Sequence, residues 1–164
     1  MRLNLKDIID IPGAGADFAY DPAVSDLAFD GIVGYDEPLH VEGTVRNTAG
    51  VLTLRATETA KLRCVCARCL AEFSKPFVLP VEVTLADEVQ DEDETDIYLL
   101  DGDYIDLDEP VVTEFVLNMD QIQLCSEDCK GLCPKCGKNL NEGPCSCTAE
   151  KDPRLAVLGR LLEN

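Results

Sequence analysis

Nine cysteines constrain what this chain can fold into more than any other feature, and they fall in two groups. Cys64, Cys66 and Cys69 sit together in mid-chain, and Cys125, Cys129, Cys133, Cys136, Cys145 and Cys147 crowd the stretch 125–147. What they do depends on the compartment. The first ten residues mix Arg2, Lys6, Asp7 and Asp10 with apolar ones, with no uninterrupted apolar core of signal-peptide type. No apolar run approaches bilayer length, so no membrane association is expected. The expected location is cytoplasmic, where thiols stay reduced, and there so many cysteines point to metal before disulfide.

Cys133-Pro-Lys-Cys136-Gly137 has the form of a zinc knuckle. Its two-residue spacer lets both thiolates face one point, and the following glycine lets the backbone fold under the sulfurs. Four thiolates at ~2.3 Å close a tetrahedral structural zinc (Zn2+) site. Within 125–147 the large apolar residues are Leu132 and Leu140. At roughly 1.5–3 kcal/mol each, they supply far less than the ~10–16 kcal/mol of structural zinc in finger peptides. Metal rather than packing is expected to order this segment. The spacing does not match ferredoxin runs, which ranks zinc above an iron–sulfur cluster.

The pair Cys66-Ala-Arg-Cys69 has two readings: a redox dithiol, or half of a tetrahedral site. A thioredoxin-like motif opens a helix in a βαβ context, whereas antiparallel strands are predicted here, which favours the metal half-site. The preferred division places Cys66, Cys69, Cys125 and Cys129 in one site and Cys133, Cys136, Cys145 and Cys147 in the other. Cys64 is left over as a buried thiol. A competing division forms one site from Cys125 or Cys129 with Cys133 and Cys136.

The net charge of −18 is patterned. Residues 46–75 carry six bases, Arg46, Arg55, Lys61, Arg63, Arg68 and Lys75, against two acids; residues 76–124 carry fifteen acids and no base. Such a chain is repelled by bulk phosphate, because RNA affinity rests on Lys and Arg displacing counterions. Any RNA contact is expected to be local, through those six residues joined by Lys130, Lys135 and Lys138. The acidic stretch 87–109 suits a basic partner.

Alternating apolar and polar residues predict strands from Leu39 to Arg46, from Val51 to Val65 and from Phe77 to Leu85. Shorter strands or turns are expected within 1–35, and residues 87–96 read as a solvated acidic loop. Asp101-Gly102 between short apolar runs predicts a hairpin of 96–100 with 103–107. Asp108 reads as the N-cap of an amphipathic helix over about 108–122, with Val112, Phe115, Val116 and Met119 on its buried face. Asp152-Pro153 predicts a short terminal helix. The expected fold class is α+β: a mainly antiparallel sheet, one packed helix, a zinc knuckle and a terminal helix, with 1–124 as the sheet domain and 125–164 as the cysteine-rich segment.

Motifs for catalysis are missing. His40 is the sole histidine, Gly13-Ala-Gly15 lacks the rest of a dinucleotide fingerprint, and no phosphate loop is present. A four-thiolate zinc leaves no open position for water. The expectation is a binding protein without enzymatic activity or small-molecule substrate.

Three stretches together resemble the bacterial YceD family: Cys66-Ala-Arg-Cys69-Leu-Ala-Glu-Phe73, the run Leu124 to Asn141 with its cysteine spacing, and Asp152-Pro-Arg-Leu-Ala-Val-Leu158. That family is associated with accumulation and processing of large-subunit (23S) ribosomal RNA, and its gene commonly neighbours that of ribosomal protein L32. Some members lack the C-terminal knuckle. The resemblance implies a ribosome-biogenesis factor with partners in large-subunit RNA, a pre-ribosomal particle or L32, and carries no catalytic residues. The alternative from another class is a thiol–disulfide or redox-sensing protein using Cys66 and Cys69. A zinc-ribbon adaptor in transcription is a weaker third reading.

Overall fold

The computed structural model describes residues 1–24, 27–88 and 97–147. Its elements run β1 (Arg2–Asn4), β2 (Gly15–Tyr20), β3 (Ile32–Thr48), β4 (Val51–Val65), β5 (Glu72–Ala86), β6 (Ile97–Leu99), β7 (Tyr104–Asp106) and α1 (Asp108–Leu117), followed by a single 3-10 turn, Leu140–Glu142. Strands β2 to β6 form one five-stranded sheet in sequence order, and β1 pairs with β7 in a separate two-stranded ribbon.

The period-two pattern explains the three long strands. On β4, Leu52, Leu54, Ala56, Glu58, Ala60, Leu62 and Cys64 are all buried, while the residues between them are exposed or half-buried. β5 continues that inner face through Val81, Val83 and Leu85, and β3 through Val41 and Val45, each in antiparallel register with β4. The start of β3 is irregular, with register shifts between Ile32 and His40. At Gly43 the strands crowd: a Cβ built there would lie 2.4 Å from Arg55 O and 2.8 Å from Ala56 Cα.

Helix α1 lies across the inner face. Phe115 is fully buried, edge-on to Phe77 at 5.1 Å and to Phe29 at 5.7 Å between ring centroids. Buried Asn47 ties the N-terminal turns to the sheet, its Nδ2 donating to Ile8 O at 2.9 Å while Gly13 N donates to Asn47 O at 2.8 Å.

Several expectations are corrected. The residues flanking Asp101-Gly102 do turn there, with a bridge between Asp101 and Tyr104, but β6 and β7 part at once. β6 joins β5, and in parallel, so the sheet is antiparallel in all but its last pair; β7 joins β1. Packing, not the turn, sets these partners: Ile105 on β7 is fully buried against the core. The third long strand begins at Glu72, not Phe77, because pairing with β4 runs unbroken to Val65 despite Pro76 and Pro80.

The helix cap is Leu107, and Asp108 is the first helical residue. Asp106 Oδ1 takes the Asp108 N–H at 3.2 Å, and Asp108 Oδ2 binds the Met1 ammonium at 2.5 Å. The helix ends at Leu117 rather than near 122; Asn118 caps it, its N and Nδ2 both donating to Glu114 O, at 3.0 and 2.9 Å. Its buried stripe is Leu107, Val111, Phe115 and Met119, while Val116 faces out. Among the described residues no helix is long and apolar enough to cross a membrane. The terminal helix expected from Asp152, and most of the acidic loop, lie outside the described residues.

Candidate metal centre

The turn between β4 and β5 holds the first two sulfurs. Cys66 N donates to Ala71 O and Leu70 N to Cys66 O, both at 2.9 Å, which closes a tight loop with Cys66 and Cys69 inside it. Beyond α1 the chain returns to this loop: Ala67 N donates to Gln123 O at 2.9 Å, and Arg68 Nη1 donates to Glu127 O at 2.9 Å and Cys129 O at 3.0 Å. Gln123 is buried, its Nε2 donating to Asp120 O at 2.8 Å. These bonds deliver Cys125 and Cys129 to the turn.

The four sulfurs of Cys66, Cys69, Cys125 and Cys129 lie within 4.8 Å of one another. Cys66 Sγ is 3.8 Å from Cys129 Sγ, and Cys69 Sγ is 3.7 Å from Cys125 Sγ. A tetrahedron with ~2.3 Å metal–sulfur bonds has edges of about 3.8 Å. The spacing therefore fits one ion and leaves no room for a multi-iron cluster. Cys66, Cys69 and Cys129 are buried beside Phe73, Leu124 and Leu132, and Cys125 is exposed.

The second group is the knuckle. Cys133 N donates to Lys138 O at 2.8 Å and Gly137 N to Cys133 O at 2.9 Å. Gly137, at φ +73°, folds the backbone under the sulfurs in the left-handed region that glycine favours. Cys133, Cys136, Cys145 and Cys147 again bring four sulfurs within 4.8 Å, and here only Cys133 is buried. The sulfurs are thus gathered in the preferred division, not in the competing single site. Cys64 is apart from both, fully buried in the sheet core.

Electrostatics supports a cation in each group. Burial pushes the Cys66 thiol up, but the backbone N–H of Cys125, joined by those of Cys69 and Arg68 in the turn, outweighs it and holds it at about 6. Cys125, beside Cys129 and Cys66, is pushed up to about 12. In the knuckle, backbone N–H groups of Cys136 and Lys135 hold Cys133 at about 6, while neighbouring Cys136 pushes Cys147 up to about 12. Four thiolates at this spacing coexist only around a positive ion, which deprotonates them outright. All-sulfur donor sets and single-ion size fit zinc.

Sequence reasoning missed Asn141. It sits in the 3-10 turn of the knuckle loop, yet its Nδ2 donates to Cys129 Sγ at 3.3 Å and its Oδ1 accepts from Lys130 N at 2.8 Å. As the largest influence it holds the Cys129 thiol below its usual value. One amide joins the two sulfur groups, and only the fold brings it there. Gly131 helps the close approach, since a Cβ built on it would lie 2.9 Å from Arg68 O.

Of the six basic residues expected to meet RNA, four are paired with acids of this chain. Arg55 pairs with Glu82 at 2.7 Å, Lys61 with Glu37 and Arg63 with Asp36 at 3.9 Å each, and Lys75 with Asp120. Arg68 is engaged with the carbonyls of the first sulfur group. Arg46 is exposed and has no acid within 4 Å among the described residues.

The model of the family "Large ribosomal RNA subunit accumulation protein YceD" matches residues 54–162. The chain belongs to the YceD family. Two sequence relatives are uncharacterised mycobacterial proteins. One, from Mycobacterium tuberculosis, is 33% identical over 105 residues, covering 59% of this chain and 49% of its own length. The other, from Mycobacterium leprae, is 26% identical over 160 residues, covering 90% of this chain and 72% of its own. A third, the chloroplastic "Large ribosomal RNA subunit accumulation protein YCED homolog 1" of Arabidopsis thaliana, is 49% identical over 41 residues, 24% of this chain and 13% of its own. The chain spans about half the length of the first of these relatives. No solved structure matches the chain. In this YceD-family chain the matched region takes in both sulfur groups.

Proposed function

We propose that this chain is a cytoplasmic ribosome-biogenesis factor that supports accumulation or processing of large-subunit ribosomal RNA by binding, not by catalysis. Family membership supports the ribosomal RNA link. Two zinc ions, held by Cys66, Cys69, Cys125 and Cys129 and by Cys133, Cys136, Cys145 and Cys147, fasten the C-terminal segment to the end of the sheet. The sulfur spacing and the all-thiolate donor set support zinc in a structural role.

Within a pre-ribosomal particle the direct partner is a basic ribosomal protein, for which L32 is the named candidate. The pairing of the basic residues carries that choice: four of the six already neutralise acids of this chain and a fifth braces the first sulfur group. Each four-thiolate zinc adds further negative charge to a chain already at −18. Bare RNA meets repulsion, while a basic protein meets complementarity.

Titration of zinc-loaded protein with L32 and with large-subunit RNA across a salt series tests the reading. Binding of L32 that weakens steeply with salt, with weak RNA binding, is expected. Tight RNA binding with none to L32 would overturn the choice of partner. Unchanged large-subunit RNA in cells lacking the protein would overturn the function.

A further inference from the structure

Helix α1 stops at Leu117, and the chain reverses through 118–122 before reaching Cys125. Against residues 28–30 this reversal leaves a groove of about 670 Å³. Phe29 and Met119 line it together with Val116, Leu117 and Ile122. Leu117 is 73% and Ile122 67% exposed, so large apolar side chains meet water at one place. Clustered apolar surface of this kind marks a contact site more often than single exposed residues do. The groove is not loosely held, because buried Gln123 and the Ala67 bond pin its end to the first sulfur group.

Charge selects the occupant. The groove wall carries Asp30 and Asp120 and no Lys or Arg; Lys75 reaches Asp120 from β5. Residues 76–124, which supply most of the lining, hold fifteen acids and no base. An RNA strand would bring phosphates to these carboxylates. A second copy of this chain would bring more acids.

We propose that this groove docks an apolar segment flanked by Lys or Arg on a basic protein partner, with Leu117 and Ile122 as anchors. The inference rests on the basic-partner reading above and adds where that partner sits. A leucine or similar side chain fills the space between Phe29 and Ile122, and a flanking cation meets Asp30, the acid of the groove wall that Lys75 does not already pair.

The test is a methyl-resolved NMR titration of the zinc-loaded full chain with a synthetic leucine-striped, lysine-flanked peptide. A glutamate-flanked version and an RNA oligonucleotide serve as comparisons. Methyl signals of Val116, Leu117 and Ile122 are expected to shift with the lysine peptide alone, and Leu117→Ser or Ile122→Ser to weaken it roughly tenfold, as for an interface anchor. Both substituted side chains are largely exposed, so the variants are expected to fold, and the unshifted core methyls verify it. Shifts confined to another surface, equal binding of the glutamate peptide or RNA, or a dimer that protects these methyls would overturn the groove. If intact L32 still binds the variants as well as wild type, the groove falls while the basic-partner reading stands. If L32 binds neither, both fall.

Discussion

Cys66 Sγ lies 3.8 Å from Cys129 Sγ, although 63 positions separate them in the chain. One belongs to the turn that ends the long β-hairpin and the other follows α1 and the groove. A metal between them would clip the whole C-terminal segment to the sheet. Cys129→Ser is therefore expected to lower bound zinc from two ions per chain to one and to loosen residues 118–129, read by elemental analysis and amide exchange. Cys133→Ser should also remove one ion and, by loosening the loop that carries Asn141, weaken the first site without emptying it, so that the sheet and the groove change far less. Of the ~10–16 kcal/mol that structural zinc supplies in finger peptides, the first variant should cost the sheet end a few kcal/mol and the second clearly less. Equal effects of the two would contradict this division of labour.

Asn141 should matter beyond its own loop. Its side chain donates to Cys129 Sγ from the knuckle side. Asn141→Ala is expected to weaken metal at the first group by roughly 10–100-fold, the usual effect of losing a hydrogen bond to a ligand. Competition with a chromophoric chelator would resolve the two ions, and an unchanged first site would remove Asn141 from the account.

Glu58 is an acid on the inner face of β4, wholly buried, and among the described residues neither carboxylate oxygen has a hydrogen-bond partner. Burial first and the Glu114 charge second push it up to about 8 from the ordinary 4.5. Between these values the folded chain keeps a proton that the unfolded chain releases, so its contribution to stability falls as pH rises from about 4.5 to about 8. The effect amounts to a few kcal/mol, at about 1.4 kcal/mol per unit. Glu58→Gln should flatten this part of the profile and stabilise the protein near neutral pH, as measured by urea unfolding from about pH 5 to about pH 9. An unchanged slope would show that Glu58 is not the titrating group.

Gly43 sits where β3 presses on β4, and a methyl group there would meet the Arg55 carbonyl and Ala56 Cα, which are backbone. Gly43→Ala is expected to destabilise by about 1–3 kcal/mol, the range for overpacking. A urea midpoint equal to wild type would show that the strands can part at no cost.

The alternation from Val51 to Val65 already marked a half-buried strand; that Glu58, in phase with Leu52, Leu54 and Ala56, is buried on it came only with the structure. Likewise the two-residue spacers of Cys66-Cys69 and Cys133-Cys136 are local geometry, so each could be recognised as half of a metal site without a fold. The end of α1 was less legible, because the helix ends at Leu117 while the apolar periodicity continues to Ile122.

What the sequence by itself determined about this protein was its local chemistry: strand phase, turn residues, thiol pairs and the sign of the charge along the chain. Tertiary structure alone decided which strand β6 and β7 would join, how the eight sulfurs gather in two groups, and that four of the six basic residues in 46–75 pair with acids. Strand phase and thiol spacing repeat over a few residues and are written in neighbouring side chains. Partnership between positions some sixty residues apart depends on how the helix and long strands pack around one core, and no short stretch of chain encodes it.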